Sequence, residues 1–206
     1  MDFVAIDFET ADRCSDSACA VGIVKVVANR IVAREFRLIR PPRQRFLFTY
    51  LHGISWEDVK AEPSFREVWL LLRDLLPGAR FLAAHNARFD RSVLLACCRL
   101  SGLHPPDAPF LCTVRLARRT WRIYPTKLDN VCNKLAIKLR HHDALSDAEA
   151  CARIVLSAAS ISTILTLPGS RKRRSSNEAA GRPWPASMPP ASRVAARGGG
   201  SGSMVP

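Results

Sequence analysis

Asp7 and Glu9 stand two residues apart in the stretch "FVAIDFET", residues 3 to 10. Alternate residues of a strand share a face, so both carboxylates project to one side while Val4, Ile6 and Phe8 turn to the other. A third acid, Asp90 in "AHNARFD", falls near the start of a helix that follows a short apolar strand, and therefore at a strand's C-terminal end. In mixed α/β sheets that edge is where ligands bind. The fourth is Asp147, which at about 100° per residue lies within roughly 40° of Cys151, Ile154 and Ala158 and so points inward with an apolar stripe.

Singly, each acid has an ordinary structural explanation: a strand ending in water, or a first-turn acid favoured by the helix dipole. An unpaired carboxylate on a core-facing stripe is costly, however, and must be neutralised, hydrogen-bonded or bound to a cation. Divalent metal satisfies Asp7, Glu9, Asp90 and Asp147 together. An all-oxygen ligand set suits Mg²⁺ or Mn²⁺, and two such ions about 4 Å apart are the usual arrangement for displacement at phosphorus.

The segment "HHDALSD", residues 141 to 147, places two histidines beside the last of these acids. If the helix ran back to residue 142, that side chain would lie about 140° around from Asp147. A histidine serving the same site must instead sit on a loop before the helix, with Asp143 available as the cap. An imidazole of ordinary pKa, near 6.5, is suited to accept a proton at neutral pH.

The elements that position these groups are legible from periodicity and turn signals. Residues 3–9 read as a buried strand, and "CAVGIVKVV" (19–27) with "IVAREFRLI" (31–39) as a hairpin closed by Ala28-Asn29-Arg30. Two helices open on capping-box patterns, Ser55 with Asp58 and Ser64 with Glu67, the second stopping at Pro77-Gly78. A strand over 80–85, a helix ending at Gly102, "FLCT" (110–113), and helical segments "VRLARRTW", "LDNVCNKLAI" and "ALSDAEACARIVLSAAS" complete an alternating second half. An antiparallel meander followed by α/β alternation predicts an α/β fold, a mixed sheet flanked by helices.

The chain's formal charge is +13, of which seven Lys and Arg against the single acid Glu178 fall in residues 161–206. The remaining body carries 24 basic and 17 acidic side chains, a moderate +7 that fits a polyanionic partner. The composition predicts one domain over residues 1–160 and a basic Pro/Gly/Ser/Ala-rich tail over 161–206, including "RKRR" at 171–174, that cannot bury a core. Seven cysteines without C-x-x-C spacing read as reduced thiols used as small hydrophobes. With no leader-like start and no long apolar run, the expectation is a cytoplasmic protein that does not engage a membrane.

"DFET", "HNARFD" and "HDALSD", in that order, resemble the three exonuclease motifs of the DnaQ-like, DEDD-type 3′→5′ exonucleases over roughly residues 1–156. The tract "SACAVGIVKV" is similar to the polymerase III epsilon-like members, and "LHGIS" (51–55) and "KLDNVCNKLAI" (127–137) resemble connecting motifs of that domain. The resemblance implies a ribonuclease H-like fold, with Asp7, Glu9, Asp90 and Asp147 as ligands of two Mg²⁺ or Mn²⁺ ions. One subgroup of the family carries a tyrosine four residues before the last aspartate and the other a histidine five before it. Here those positions are Asp143 and His142, which places the chain with the histidine subgroup and makes His142 the general base.

The implied reaction is hydrolysis of the terminal phosphodiester of DNA, with nucleoside 5′-monophosphate released. Phe8 and Thr10 are the implied lining of the terminal-nucleotide pocket, with Asn86 and Phe89 as support near Asp90. The implied partner is nucleic acid with a free 3′ end, preferably single-stranded, and in proofreading members a DNA polymerase. Arg88, Arg91, Arg115, Arg118, Arg119 and Lys127 are candidates for tracking the backbone. An RNA-trimming enzyme of the same family and a non-catalytic nucleic-acid adaptor are the alternatives.

Overall fold

The computed structural model describes residues 1–161, so the basic tail expected from 161 onward lies, apart from Ile161, outside the described residues. Three strands come first: β1 (Phe3–Thr10), β2 (Ala18–Val27) and β3 (Arg30–Leu38). β1 pairs antiparallel with β2, and β2 with β3. The hairpin closes through two residues, Ala28 (φ 49°) and Asn29 (φ 63°), one fewer than the sequence suggested, because Arg30 already pairs with Val27. Two consecutive left-handed residues match the right-handed twist of the flanking strands.

Two short strands, β4 (Leu82–Ala84) and β5 (Phe110–Cys112), extend the sheet in parallel to give the order β3-β2-β1-β4-β5. β1 is thus central, and its C-terminal end lies on the same edge as those of β4 and β5. That edge receives Asp7, Glu9 and the start of the helix bearing Asp90.

The helices are α1 (Thr49–His52), α2 (Trp56–Val59), α3 (Phe65–Leu72), α4 (Arg88–Leu100), α5 (Thr113–Trp121), α6 (Leu128–Leu135) and α7 (Ala144–Ser160). Both capping boxes form: Asp58 accepts from the Ser55 amide and hydroxyl, and Glu67 does the same for Ser64. α3 ends earlier than expected, its last turn tightening to a 3₁₀ turn at Arg73–Leu75 before the chain reaches Gly78. Shorter i→i+3 bonds are a common way for a helix end to satisfy its carbonyls.

The period-2 alternation of the central strands separates two cores. Phe3, Ala5, Val24, Val26 and Ala83 pack under α5, α6 and α7 through Leu116, Val131 and Ile154. Val4, Ile6, Phe8, Val21, Ile23 and Leu82 pack under α3 and α4 through Val68, Trp69, Val93 and Leu94. All seven cysteines are free and five are buried, as small apolar side chains. Among the described residues no helix is long and apolar enough to cross a membrane.

Candidate active site

β1 lifts Asp7 and Glu9 onto the α7 side of the sheet, and α7 brings Asp147 down to meet them. Ligand oxygens of Asp7, Glu9 and Asp147 all lie within 4.8 Å of one another. Asp90, in the first turn of α4, is buried on the other flank of β1 and accepts a hydrogen bond from the Phe8 amide at 3.1 Å through Oδ1. Its Oδ2 and the Oδ1 of Asp147 are buried without a partner.

Burial first, and then the charges of Asp90, Asp147 and Glu9, push the Asp7 carboxyl far above its ordinary range. Burial followed by Asp147 and Asp143 raises Glu9 to about 7. Burial raises Asp90 to about 8 despite its backbone hydrogen bonds, and also raises Asp147 against the opposing effect of His141. The loop after β1 provides the contrast. There burial pushes Asp12 up, but hydrogen bonds, chiefly from Arg43, more than offset it and hold the carboxyl below its usual range. Arg43 also holds Asp16.

Among the described residues no arginine or lysine pairs with the four central acids in this way. Two orphaned buried oxygens and an all-carboxylate donor set fit hard divalent ions such as Mg²⁺ or Mn²⁺.

The close approach of α7 to the sheet depends on a residue that sequence reasoning passed over. Gly22 on β2 pairs with Asp7, and a Cβ there would stand 2.1 Å from the Ala144 carbonyl oxygen and 2.5 Å from the Leu145 nitrogen. The first turn of α7, which carries Asp147, therefore rests directly on the strand backbone. An isolated glycine within the apolar run "CAVGIVKVV" was the available signal, since it marks a close backbone approach. We expect Gly22→Ala to lift this turn and displace Asp147 from Asp7. Misplacement by about 1 Å costs on the order of 10²-fold in rate. The check is a metal titration of activity, whose midpoint should rise while the circular dichroism spectrum stays native.

The segment before α7 adopts the loop that the helical geometry required. Asp143 is the N-cap, accepting from the Ser146 amide at 3.0 Å, and His142 precedes it at φ 65°. Non-glycine residues are uncommon in this left-handed region, and such positions cluster at functional sites. Burial, and then His141, lower the His142 pKa below its ordinary value, so the neutral imidazole is favoured.

His141 is more than a neighbour. Its Nδ1 hydrogen-bonds Asp147 Oδ2 at 3.0 Å, the His142 amide donates to the same oxygen at 3.3 Å, and the two rings stack at 4.0 Å. Because an ionised carboxylate only accepts, Nδ1 of His141 carries the proton in that pairing.

The pocket residues fall unevenly. Phe8 is 2% exposed and packs in the α3–α4 core, so its side chain is not a pocket wall and its amide serves the site through Asp90. The reason lies in strand alternation, which sends Phe8 away from Asp7 and Glu9. Thr10 is buried where β1 bulges, and its carbonyl accepts from His52 Nε2 at 3.2 Å while Ile54 N–H donates to His52 Nδ1. Asn86 is exposed at φ 62° in the turn from β4 to α4, and Phe89 is 42% exposed beside it. His85, between β4 and Asn86, bonds Thr113 Oγ1 through Nδ1 and the Thr126 carbonyl through Nε2.

A mixed five-stranded sheet with helices on both faces, carrying clustered carboxylates at the C-terminal end of its central strand, defines a ribonuclease H-like α/β protein. Residues 4–155 match the family described as Exonuclease, RNase_T. The chain belongs to this family, and the match takes in nearly all of its described body.

Among its relatives is the DNA polymerase III PolC-type of Thermotoga maritima, 33% identical over 159 residues, which cover 75% of this chain and 12% of the relative. Exodeoxyribonuclease 10 of Escherichia coli (strain K12) is 30% identical over 150 residues, covering 66% of this chain and 59% of that protein. The DNA polymerase III subunit epsilon of Pasteurella multocida is 30% identical over 145 residues, covering 66% and 56%. The chain thus spans less than two thirds of the length of each of these relatives. Solved structures with the same fold include Exonuclease X in complex with 5′ overhanging duplex DNA, at TM-score 0.64 and 24% identity over 78% of this chain and 92% of that one. The nuclease domain of 3′hExo, a DEDDh family member, bound to rAMP, matches at TM-score 0.65 and 21% identity over the same shares of the two chains.

Proposed function

We propose that this chain is a 3′→5′ exonuclease that hydrolyses terminal phosphodiester bonds of DNA and releases nucleoside 5′-monophosphates. The observation that carries the reading is the convergence of Asp7, Glu9 and Asp147 within 4.8 Å, beneath the loop that presents His142. Asp7, Glu9, Asp90 and Asp147 would hold two Mg²⁺ or Mn²⁺ ions, which supply Lewis-acid activation of water and neutralise charge on the phosphate. Asp7 and Glu9 fix the cluster on the rigid central strand, while Asp147 closes it from α7. His142 accepts the proton of the attacking water. Its left-handed loop holds the ring off the helix, and its lowered pKa keeps the accepting nitrogen free at neutral pH.

Thr10 lies at the end of β1 where the terminal nucleotide would seat, with Asn86 and Phe89 across the α4 turn. The names of the relatives support DNA over RNA, a replicative or repair setting in the cytoplasm, and a polymerase as source of the 3′ end.

The test is a digestion series with 3′-labelled and 5′-labelled strands of single-stranded DNA, mismatched duplex and RNA, in Mg²⁺ and in Mn²⁺. Exonuclease action from the 3′ end releases labelled mononucleotide at once from the 3′-labelled strand and a shrinking ladder from the 5′-labelled one. Endonucleolytic fragments, or an absence of turnover with either ion, would sink the reading, and faster loss of RNA would move the substrate class.

A further inference from the structure

We propose that the outer face of α5 and the turn beyond it form the track for the single-stranded segment of nucleic acid preceding the 3′ end. This rests on the nuclease reading above and goes further by naming the surface that holds the strand. From Ala108 to Leu128 the chain carries five basic residues, Arg115, Arg118, Arg119, Arg122 and Lys127, and no acid. At about 100° per residue Arg115, Arg118 and Arg119 fall within an arc of about 100°, opposite the buried Thr113, Leu116 and Ala117, and Arg122 follows them as the left-handed C-cap at φ 54°. All five basic side chains are exposed, and among the described residues none of them is ion-paired. Arginines near the last turn complement the helix dipole, but that accounts neither for Arg115 in the first turn nor for Lys127 beyond the helix.

The turn after α5 adds an aromatic ring and holds it in place. Tyr124 is 69% exposed, and the Arg118 guanidinium sits 5.7 Å from its ring centroid. Arg118 Nε also donates to Thr126 Oγ1 at 2.8 Å, and Thr126 Oγ1 donates to the Ile123 carbonyl. An arginine on a solvated face is free to move, whereas this one is fixed between a hydroxyl and a ring. Unpaired cations beside an exposed aromatic ring are the combination that holds unpaired bases and their phosphates.

The same turn is tied to the catalytic edge. The Thr126 carbonyl bonds His85, which follows β4, and His85 bonds Thr113, the first residue of α5. Thr113 Oγ1 in turn lies 3.9 Å from Cys151 Sγ, one turn of α7 beyond Asp147. The buried face of α5 is thus packed against α7 one helical turn beyond Asp147, which fixes the helix whose opposite face carries the arginines next to the catalytic edge.

The test compares wild type with Arg115→Gln/Arg119→Gln/Arg122→Gln, and separately with Tyr124→Ala. None of these side chains is buried, so the fold should persist, with thermal melting as the check. On a 3′-labelled single strand of about 20 nucleotides, the triple variant should raise KM about ten-fold with kcat retained. Each lost phosphate contact on a single strand removes about 0.7 from the slope of log affinity against log salt, so the slope should flatten by about 2. Tyr124→Ala should raise KM about five-fold or more, the scale of one lost base stack. Turnover of the p-nitrophenyl ester of thymidine 5′-monophosphate, too short to reach α5, should be unchanged in both.

An unchanged salt slope, or an equal loss on the short ester, would overturn the track while leaving the nuclease reading intact. A wild-type protein inert on both substrates would bring down the nuclease reading and this surface with it.

Discussion

Asp7→Asn should lower metal-dependent exonuclease activity by about 10³-fold or more, the scale of removing a preorganised electrostatic group from a reacting centre, while the fold persists. Asparagine keeps the shape and removes the charge at the middle of the cluster, where burial and three neighbouring carboxylates already press hardest. The same change should make the protein more stable in EDTA at pH 8. A carboxyl whose folded pKa is raised binds more protons in the folded state than in the unfolded one, so stability falls as pH rises. That fall begins near the unfolded value of about 4 and continues through about 7 for Glu9 and about 8 for Asp90.

Wild-type protein without metal should therefore melt at a lower temperature at pH 8 than at pH 5.5. Millimolar Mg²⁺ should restore most of the difference, because an ion that binds only the folded state stabilises it by mass action. In Asp7→Asn both the pH penalty and the Mg²⁺ rescue should shrink. Thermal melts over this pH range with EDTA or Mg²⁺ are the measurement. A wild-type melting temperature indifferent to both would mean that the four acids neither repel one another nor bind a cation.

What the sequence conveyed and what it withheld divide along one physical line. The alternation in "FVAIDFET", the stripe from Asp147 to Ala158 and the Asp143 cap are consequences of local periodicity, so strand, helix and loop could be placed from residue types alone. The need for Gly22 is different, because the atom it accommodates belongs to Ala144, more than a hundred residues away. The lone glycine in its apolar run signals a close approach, but only the packing of α7 on β2 shows which backbone makes it. His52 gripping the Thr10 carbonyl and His85 bridging Thr113 to Thr126 are likewise contacts across distant segments. Phe8 illustrates a conflict within the sequence reading itself. Strand alternation sent its side chain to the core, the family resemblance put it at the nucleotide, and the core prevails because the side chain is 2% exposed.

His142→Ala should reduce kcat by about 10²- to 10⁴-fold, the usual range for a general base, and leave the Mg²⁺ midpoint nearly unchanged. His141→Ala should do the reverse. Its ring steadies Asp147 Oδ2 at 3.0 Å, so its loss frees that carboxylate and raises the Mg²⁺ requirement, with kcat at saturating metal falling by less than about ten-fold. The two histidines are adjacent, stacked and both at the site, so overall activity alone would not separate them. Splitting kcat from the metal midpoint does, because only the base acts on the proton in flight.

The pH profile gives an independent reading. A base works when neutral, so wild-type kcat at saturating Mg²⁺ should rise with pH through an acid limb set by His142, whose pKa lies below the ordinary 6.5. That limb should vanish in His142→Ala, persist in His141→Ala, and be partly replaced in the former by added imidazole. The opposite pattern would assign the proton to His141, with His142 holding the loop through its left-handed backbone and its amide on Asp147.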